Sequence, residues 1–184
     1  MKKILFIIFL IPFLGFAQID KSIKMKVAMM QNCVHKDTLG QTTFWQTKGK
    51  VTFNIVKYTA EQNPVFKELF IKQYQELLPI YKKMVVSEDE RDTALFIKTL
   101  IRQEDDFRNL LKPEQLKSYS EKLLDYEKNN LQSHESYSSL FFSDNLLNEF
   151  KFKFGYNSEI EKSKTFFATK KSKKSKKKIV NVKK

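Results

Sequence analysis

The sequence predicts a mainly α protein, built as antiparallel helical hairpins or a small bundle, with a short two-stranded β element and a disordered C-terminal tail. Three observations carry this. The 184 residues include only four glycines and four prolines, and Lys, Glu, Leu and Phe dominate the rest, a composition that favours helices. Apolar residues recur at three-four spacing over the centre of the chain. The stretches between those stripes, "VSEDE" and "LKPEQ", are short enough to force neighbouring helices antiparallel.

The elements follow in chain order. "MKKILFIIFLIPFLGFAQ" opens with Lys2 and Lys3, continues uncharged from Ile4 to Phe16, and closes on the small residues Gly15 and Ala17. This is the pattern of a secretory signal peptide over 1–17, with cleavage expected between Ala17 and Gln18. The apolar run is short for a bilayer span, and Pro12 and Gly15 interrupt it. The expected destination is the periplasm or the exterior, and residues 18–168 are read as a single domain.

Residues 19–34 read as a helix with methionines on one side. Residues 36–49, "KDTLGQTTFWQTKG", read as a loop holding the only tryptophan. "KVTFNIVKY" alternates Val51, Phe53 and Ile55, and "FKFKFGY" alternates Phe150, Phe152 and Phe154. Both have the period of strands. They are expected to pair around 50–58 and 150–156, although the second fits the end of a helix equally well.

From Phe66, the apolar positions Leu69, Phe70, Tyr74, Leu77, Leu78, Tyr81, Met84 and Val85 form one helical stripe. Asn63 is its expected N-cap, Pro64 its first helical position, and Pro79 a kink or local break. "SEDE" at 87–90 reads as a capping box, with Ser87 as cap and Glu90 three residues on. The next helix is expected to reach about Leu111, with Phe96, Ile97, Leu100, Ile101, Phe107, Leu110 and Leu111 on its apolar face. A third starts at Pro113 and aligns Leu116, Tyr119, Leu123 and Tyr126. A fourth is expected through Leu140, Phe141, Leu146, Leu147 and Phe150, and a short last one from Ser158, with Glu161 completing another box.

Charge is unevenly placed. The whole chain carries +13; its first residues hold +2 and the tail at 170–184 holds +9, so +2 remains for residues 18–169. A basic face on the folded body for nucleic acid is therefore not expected. The tail "KKSKKSKKKIVNVKK", residues 169–184 with Thr169, is low in apolar residues and self-repelling, and is expected to be disordered. Its lysines Lys170, Lys171, Lys173, Lys174, Lys176, Lys177 and Lys178 are candidates for docking to anionic lipid or glycolipid. With one cysteine, the chain has no internal disulfide.

Catalytic signatures are missing from the sequence. Phosphate loops, G-x-S-x-G and H-E-x-x-H are absent, and the two histidines, His35 and His134, are too few for a metal centre with Cys33. The acids of "SEDERD" suit a helix start. Those of "RQEDDFR" read as a solvated face beside Arg102 and Arg108. No enzyme, cofactor or metal is expected. The candidate groups for holding unfolded or apolar protein segments are the aromatic residues of the stripes: Phe66, Phe70, Tyr74, Phe96, Phe107 and Tyr119.

At "LLKPEQLKSYSEKL" the chain resembles the helical periplasmic stress proteins of the Spy/CpxP type, marked by an L-T-x-x-Q motif at a helix start. Leu111, Pro113, Glu114 and Gln115 match that motif, and Lys112 stands where Thr is expected. Thr would cap the helix, Pro would take its first position, and Gln would complete the box. The family usually carries two such motifs; "TAEQ" at 59–62 has Thr and Gln at the right spacing, but no Leu before the Thr. The resemblance implies an all-helical, often dimeric, cradle-shaped protein that binds unfolded chains without ATP.

Overall fold

The apolar stripes become six α-helices and one short 3-10 turn in the computed structural model, which describes residues 22–129 and 140–155. Helix α1 covers residues 22–35. The 3-10 turn Asp37–Leu39 leads into α2, Gly40–Val56. Then come α3, Gln62–Ser87; α4, Glu90–Arg108; α5, Pro113–Asn129; and α6, Asp144–Lys153. α2 packs on α3 and α5, α3 on α4, and α6 on both α4 and α5. The expected signal cleavage at Ala17 and Gln18, the helix from Ser158 and the lysine tail lie outside the described residues.

The expected β element does not form: residues 50–56 belong to α2 and residues 150–153 to α6, with no strand among the described residues. The alternation of Val51, Phe53 and Ile55 misleads because the same residues also satisfy helical spacing. Phe44, Lys48, Val51, Thr52 and Ile55 are buried on one side of α2, whereas Phe53 lies exposed on the other. The buried Lys48 dilutes the apolar signal of residues 40–49, which therefore read as loop. In α6, Phe150 is buried while Phe152 is 91% exposed, the half-turn separation of residues two apart on a helix.

Gly40 lets α2 begin where it does. A Cβ there would collide with the Cys33 carbonyl and the Tyr74 hydroxyl, so α1 and α3 close on α2 only around a glycine. α3 runs unbroken through Pro79, which lies on the exposed side of the helix, where water can take up the carbonyl that proline leaves without a donor. Ser87 is not the cap of α4. Asp89 is, its carboxylate accepting from the Arg91 N–H at 2.8 Å. Ser87 Oγ instead accepts from the Asp89 N–H and donates to Asp92 at 2.7 Å. α6 starts later than expected: residues 141–143 precede it, and Ser143 caps it by accepting from the Leu146 N–H.

The centre of the core is aromatic. The Phe107 ring lies 5.6 Å from Phe66, 5.8 Å from Phe70, 5.3 Å from Tyr119 and 5.5 Å from Phe141, so one side chain of α4 joins α3, α5 and the segment before α6. Such ring pairs add to the burial of their area. Phe107→Ala should cost about 3–5 kcal/mol, read as a lowered urea midpoint in circular dichroism, because the surrounding rings come from three elements and cannot all collapse into the void.

Candidate functional site

All six aromatic residues expected to hold client segments are inside the core. Phe66, Phe70, Tyr74, Phe96, Phe107 and Tyr119 are each at most 5% exposed. Their stripes find each other across α3, α4 and α5, so the apolar faces that looked available to a partner are spent on intramolecular packing. Large apolar groups that do reach solvent include Val85, Val86 and Leu95 at the α3–α4 end, and Phe152 on α6.

The helix-start motif has a geometry that its spacing suggested only in part. Pro113 opens α5, and the Lys112 carbonyl accepts from the Leu116 N–H at 2.8 Å, which makes Lys112 the true cap position. Gln115 Oε1 reaches back to the Lys112 N–H at 3.1 Å, the half of a capping box that needs no hydroxyl at the cap. Leu111 packs against the core, and Glu114 is exposed in the first turn, favourable to the helix dipole.

"TAEQ" does the same at the start of α3. The Thr59 carbonyl accepts from the Asn63 N–H at 3.2 Å, and Gln62 Oε1 accepts from the Thr59 N–H at 3.0 Å. The expected cap Asn63 is instead the second residue of α3. The two motifs then meet: Gln62 Nε2 donates to Gln115 Oε1 and Gln115 Nε2 donates to Gln62 Oε1, both at 2.9 Å. Two helix starts 53 residues apart are tied by a reciprocal amide pair. Each amide oxygen accepts twice, from its own cap and from its partner, which holds both rotamers.

A second constellation was not foreseen. Lys26 of α1 and Lys48 of α2 are buried together with Glu104 of α4. Lys26 Nζ donates to Ser22 Oγ at 3.0 Å and to the Phe141 carbonyl at 3.2 Å, and sits 3.9 Å above the Phe142 ring. Lys48 Nζ donates to Gln73 Oε1 at 2.8 Å and faces the rings of Phe44, Phe70 and Phe141. Glu104 accepts from Tyr119 Oη at 2.6 Å and from Arg108 Nε at 2.9 Å. Arg108 continues to the Phe142 carbonyl at 2.6 Å and to the Asp144 carboxylate. Gln73 and Gln103 exchange side-chain-to-carbonyl bonds of 2.9 and 3.1 Å between α3 and α4.

The run "RQEDDFR" is therefore not the solvated face it resembles, since Glu104 is only 4% exposed. The available signal was Lys48 and Thr52 falling on the Phe44–Ile55 stripe; a polar residue on an apolar stripe asks for a buried partner.

Burial pushes the Lys26 ammonium down to about 7 and that of Lys48 down to about 8, with the Glu104 charge opposing both shifts. Burial also pushes the Cys33 thiol up to about 11. Cys33 is fully buried while His35 is exposed, so the two do not form a pair. No group of three or more His, Cys, Asp or Glu is placed to hold a metal among the described residues. His134 lies outside them.

Comparison of the chain with known protein families, characterised proteins and solved structures gave no match in any of the three.

Two outcomes follow from this geometry. In a double-mutant cycle, Gln62→Ala and Gln115→Ala should show a coupling of about 0.5–1.5 kcal/mol in urea unfolding, and each single variant should leave helix content unchanged. The buried amines set a slope with pH. Their folded pKa values lie below those of the unfolded chain, so between pH 7 and 9 the unfolded state binds more protons and stability rises with pH. Above pH 9 the raised Cys33 thiol works in the opposite sense. The urea midpoint should climb from pH 7 to pH 9, and Lys26→Met with Lys48→Met should flatten that climb whatever it does to absolute stability.

Proposed function

We propose that the protein is an exported, helical binding protein of the cell envelope that holds unfolded or apolar segments of other proteins without nucleotide or cofactor. The observation that carries this reading is the reciprocal Gln62–Gln115 pair. It joins two glutamine-boxed helix starts in one feature, and a pair of such motifs marks the Spy/CpxP-type proteins that the chain resembles. The signal-like start at residues 1–17 supports export to the periplasm or exterior. No helix among the described residues is long and apolar enough to cross a membrane.

The aromatic stripes are packed in the core, so the client-facing groups in this reading are different ones. Val86 at 85% exposure, with Val85 and Leu95, leaves an apolar end on the α3–α4 hairpin. Short β-branched and leucine side chains suit weak, sequence-tolerant contact with apolar client segments.

Purified protein in several-fold excess should suppress light scattering by a denatured client at neutral pH without ATP. Val86→Asp combined with Leu95→Asp should fold as the parent does and lose most of that suppression. Parent protein that leaves aggregation unchanged would sink the reading. N-terminal sequencing of exported protein should begin at Gln18.

A further inference from the structure

Lys83, Lys117, Lys151, Arg91, Arg102 and Arg108 each reach a carboxylate. The lysines on the outer face of α2 do not. Residues 38–60 contain no aspartate or glutamate. Along α2 and its C-cap, Gln46, Lys50, Phe53, Asn54 and Lys57 are all exposed and fall on one helical stripe. Beside that stripe, Trp45 and Tyr58 pack along Gly49. The Tyr58 hydroxyl donates to the Gly49 carbonyl at 3.2 Å, and a Cβ on Gly49 would lie 4.0 Å from the indole. The Tyr58 ring continues to Phe53, edge-on at 5.3 Å. Trp45, Tyr58 and Phe53 thus line about 12 Å of the helix.

Two ammonium groups lie on this strip. Lys67 Nζ of α3 is 4.8 Å from the Trp45 ring, and Lys57 Nζ is 5.1 Å from that of Phe53. Among the described residues, Lys50, Lys57 and Lys67 have no acid partner. The acids that follow in the chain are engaged elsewhere: Glu61 by Thr59, beside Lys112, and Glu68 by Lys72 at 3.7 Å.

Charge and chemistry select the occupant. Positive groups with no acid among them are complementary to an anionic surface. Lysine presents a point charge on a flexible stem, which follows mobile phosphates. Carboxylates and base edges favour the forked guanidinium, and this face has no arginine. Exposed phenyl and indole groups beside lysine stems match a membrane interface, where rings enter the head-group boundary and stems keep the ammonium at the phosphates.

We infer that the outer face of α2 docks on an anionic lipid surface, with Phe53 and Trp45 toward the head-group boundary and Lys50, Lys57 and Lys67 on the lipid phosphates. The rings contribute a salt-independent part of the attachment and the lysines a salt-dependent one. The small net charge of the folded body conceals this face, because acids on other helices balance its lysines. Lys67 is about 28 Å along α3 from Val86, so this assignment and that of the client-facing end can fail separately.

Trp45 is the only tryptophan in the chain, and its emission reports on this face directly. With protein beginning at Gln18, phosphatidylglycerol vesicles brominated on the acyl chains should quench Trp45, and added salt should reverse the quenching. Brominated phosphatidylcholine should leave the emission unchanged. Attachment through other lysines alone would leave the indole unquenched. Lys50→Gln, Lys57→Gln and Lys67→Gln together keep the aliphatic stems and remove no ion pair, so the fold is kept; the apparent Kd should weaken about a hundredfold. A control with Lys82→Gln, Lys98→Gln and Lys128→Gln makes the same change in net charge and should bind far more tightly than that variant. Absence of quenching, equal quenching by brominated phosphatidylcholine, equal binding by the two triple variants, or tighter binding to an acidic peptide or a DNA duplex than to the vesicles would each overturn the assignment.

Discussion

The fold depends on keeping the Glu104 carboxylate in the interior. A carboxylate at 4% exposure is costly unless hydrogen-bonded and charge-compensated. Here Tyr119 of α5 and Arg108 of α4 supply the bonds, and Arg108 extends the network to the Phe142 carbonyl and Asp144 at the start of α6. Three elements must therefore be in place before the charge is satisfied. The same requirement admits Lys26 and Lys48, whose ammonium groups are drawn toward Glu104 while burial resists them. α1, which otherwise contributes mainly Met30 and Cys33 to the core, is held to the segment before α6 by the Lys26 bond to the Phe141 carbonyl.

The aromatic cluster and this charge network share residues and so enforce each other. Tyr119 stacks edge-on against Phe107 while its hydroxyl serves Glu104, and Phe141 touches both rings while its carbonyl serves Lys26. Rotating the Tyr119 ring to improve packing would break its bond to the buried Glu104 carboxylate. This coupling narrows the alternatives that an apolar core alone would tolerate. It also bears on the proposed function: side chains locked in this way are unsuited to adaptable contact with clients, so under that proposal the contact would fall to exposed groups such as Val86 and Leu95.

Charge arithmetic on the sequence hid this. Residues 18–169 carry only +2, which reads as a balanced, solvated surface, yet two lysines and a glutamate of that balance are interior. The external face is correspondingly different from the one composition suggests. The neighbouring charges Glu76, Asp106 and Arg102 remain at the edge, where Arg102 bridges α3 and α4.

Local chemistry was legible along the α3 stripe and at the start of α5, though not at the caps of α3 and α4. The stripe from Phe66 to Met84, the Pro113 helix start and the back-reach of Gln115 depend on residues within one or two turns, and they formed as spacing required. Residues 40–56 were misread because Val51, Phe53 and Ile55 satisfy two periods at once; only packing of Phe44, Lys48 and Ile55 against α3 and α5 selects the helix. Whether Phe66 or Phe107 would meet a client or a neighbour was likewise open, since a stripe states that a face must be covered and not by what. The sequence by itself determined the helical class, the Pro113 helix start and the concentration of basic charge at the end. The tertiary structure alone brought Gln62 to Gln115 and Lys26 to Phe141, because contacts between residues 53 and 115 apart arise from how the helices stack and leave no periodic trace in the chain.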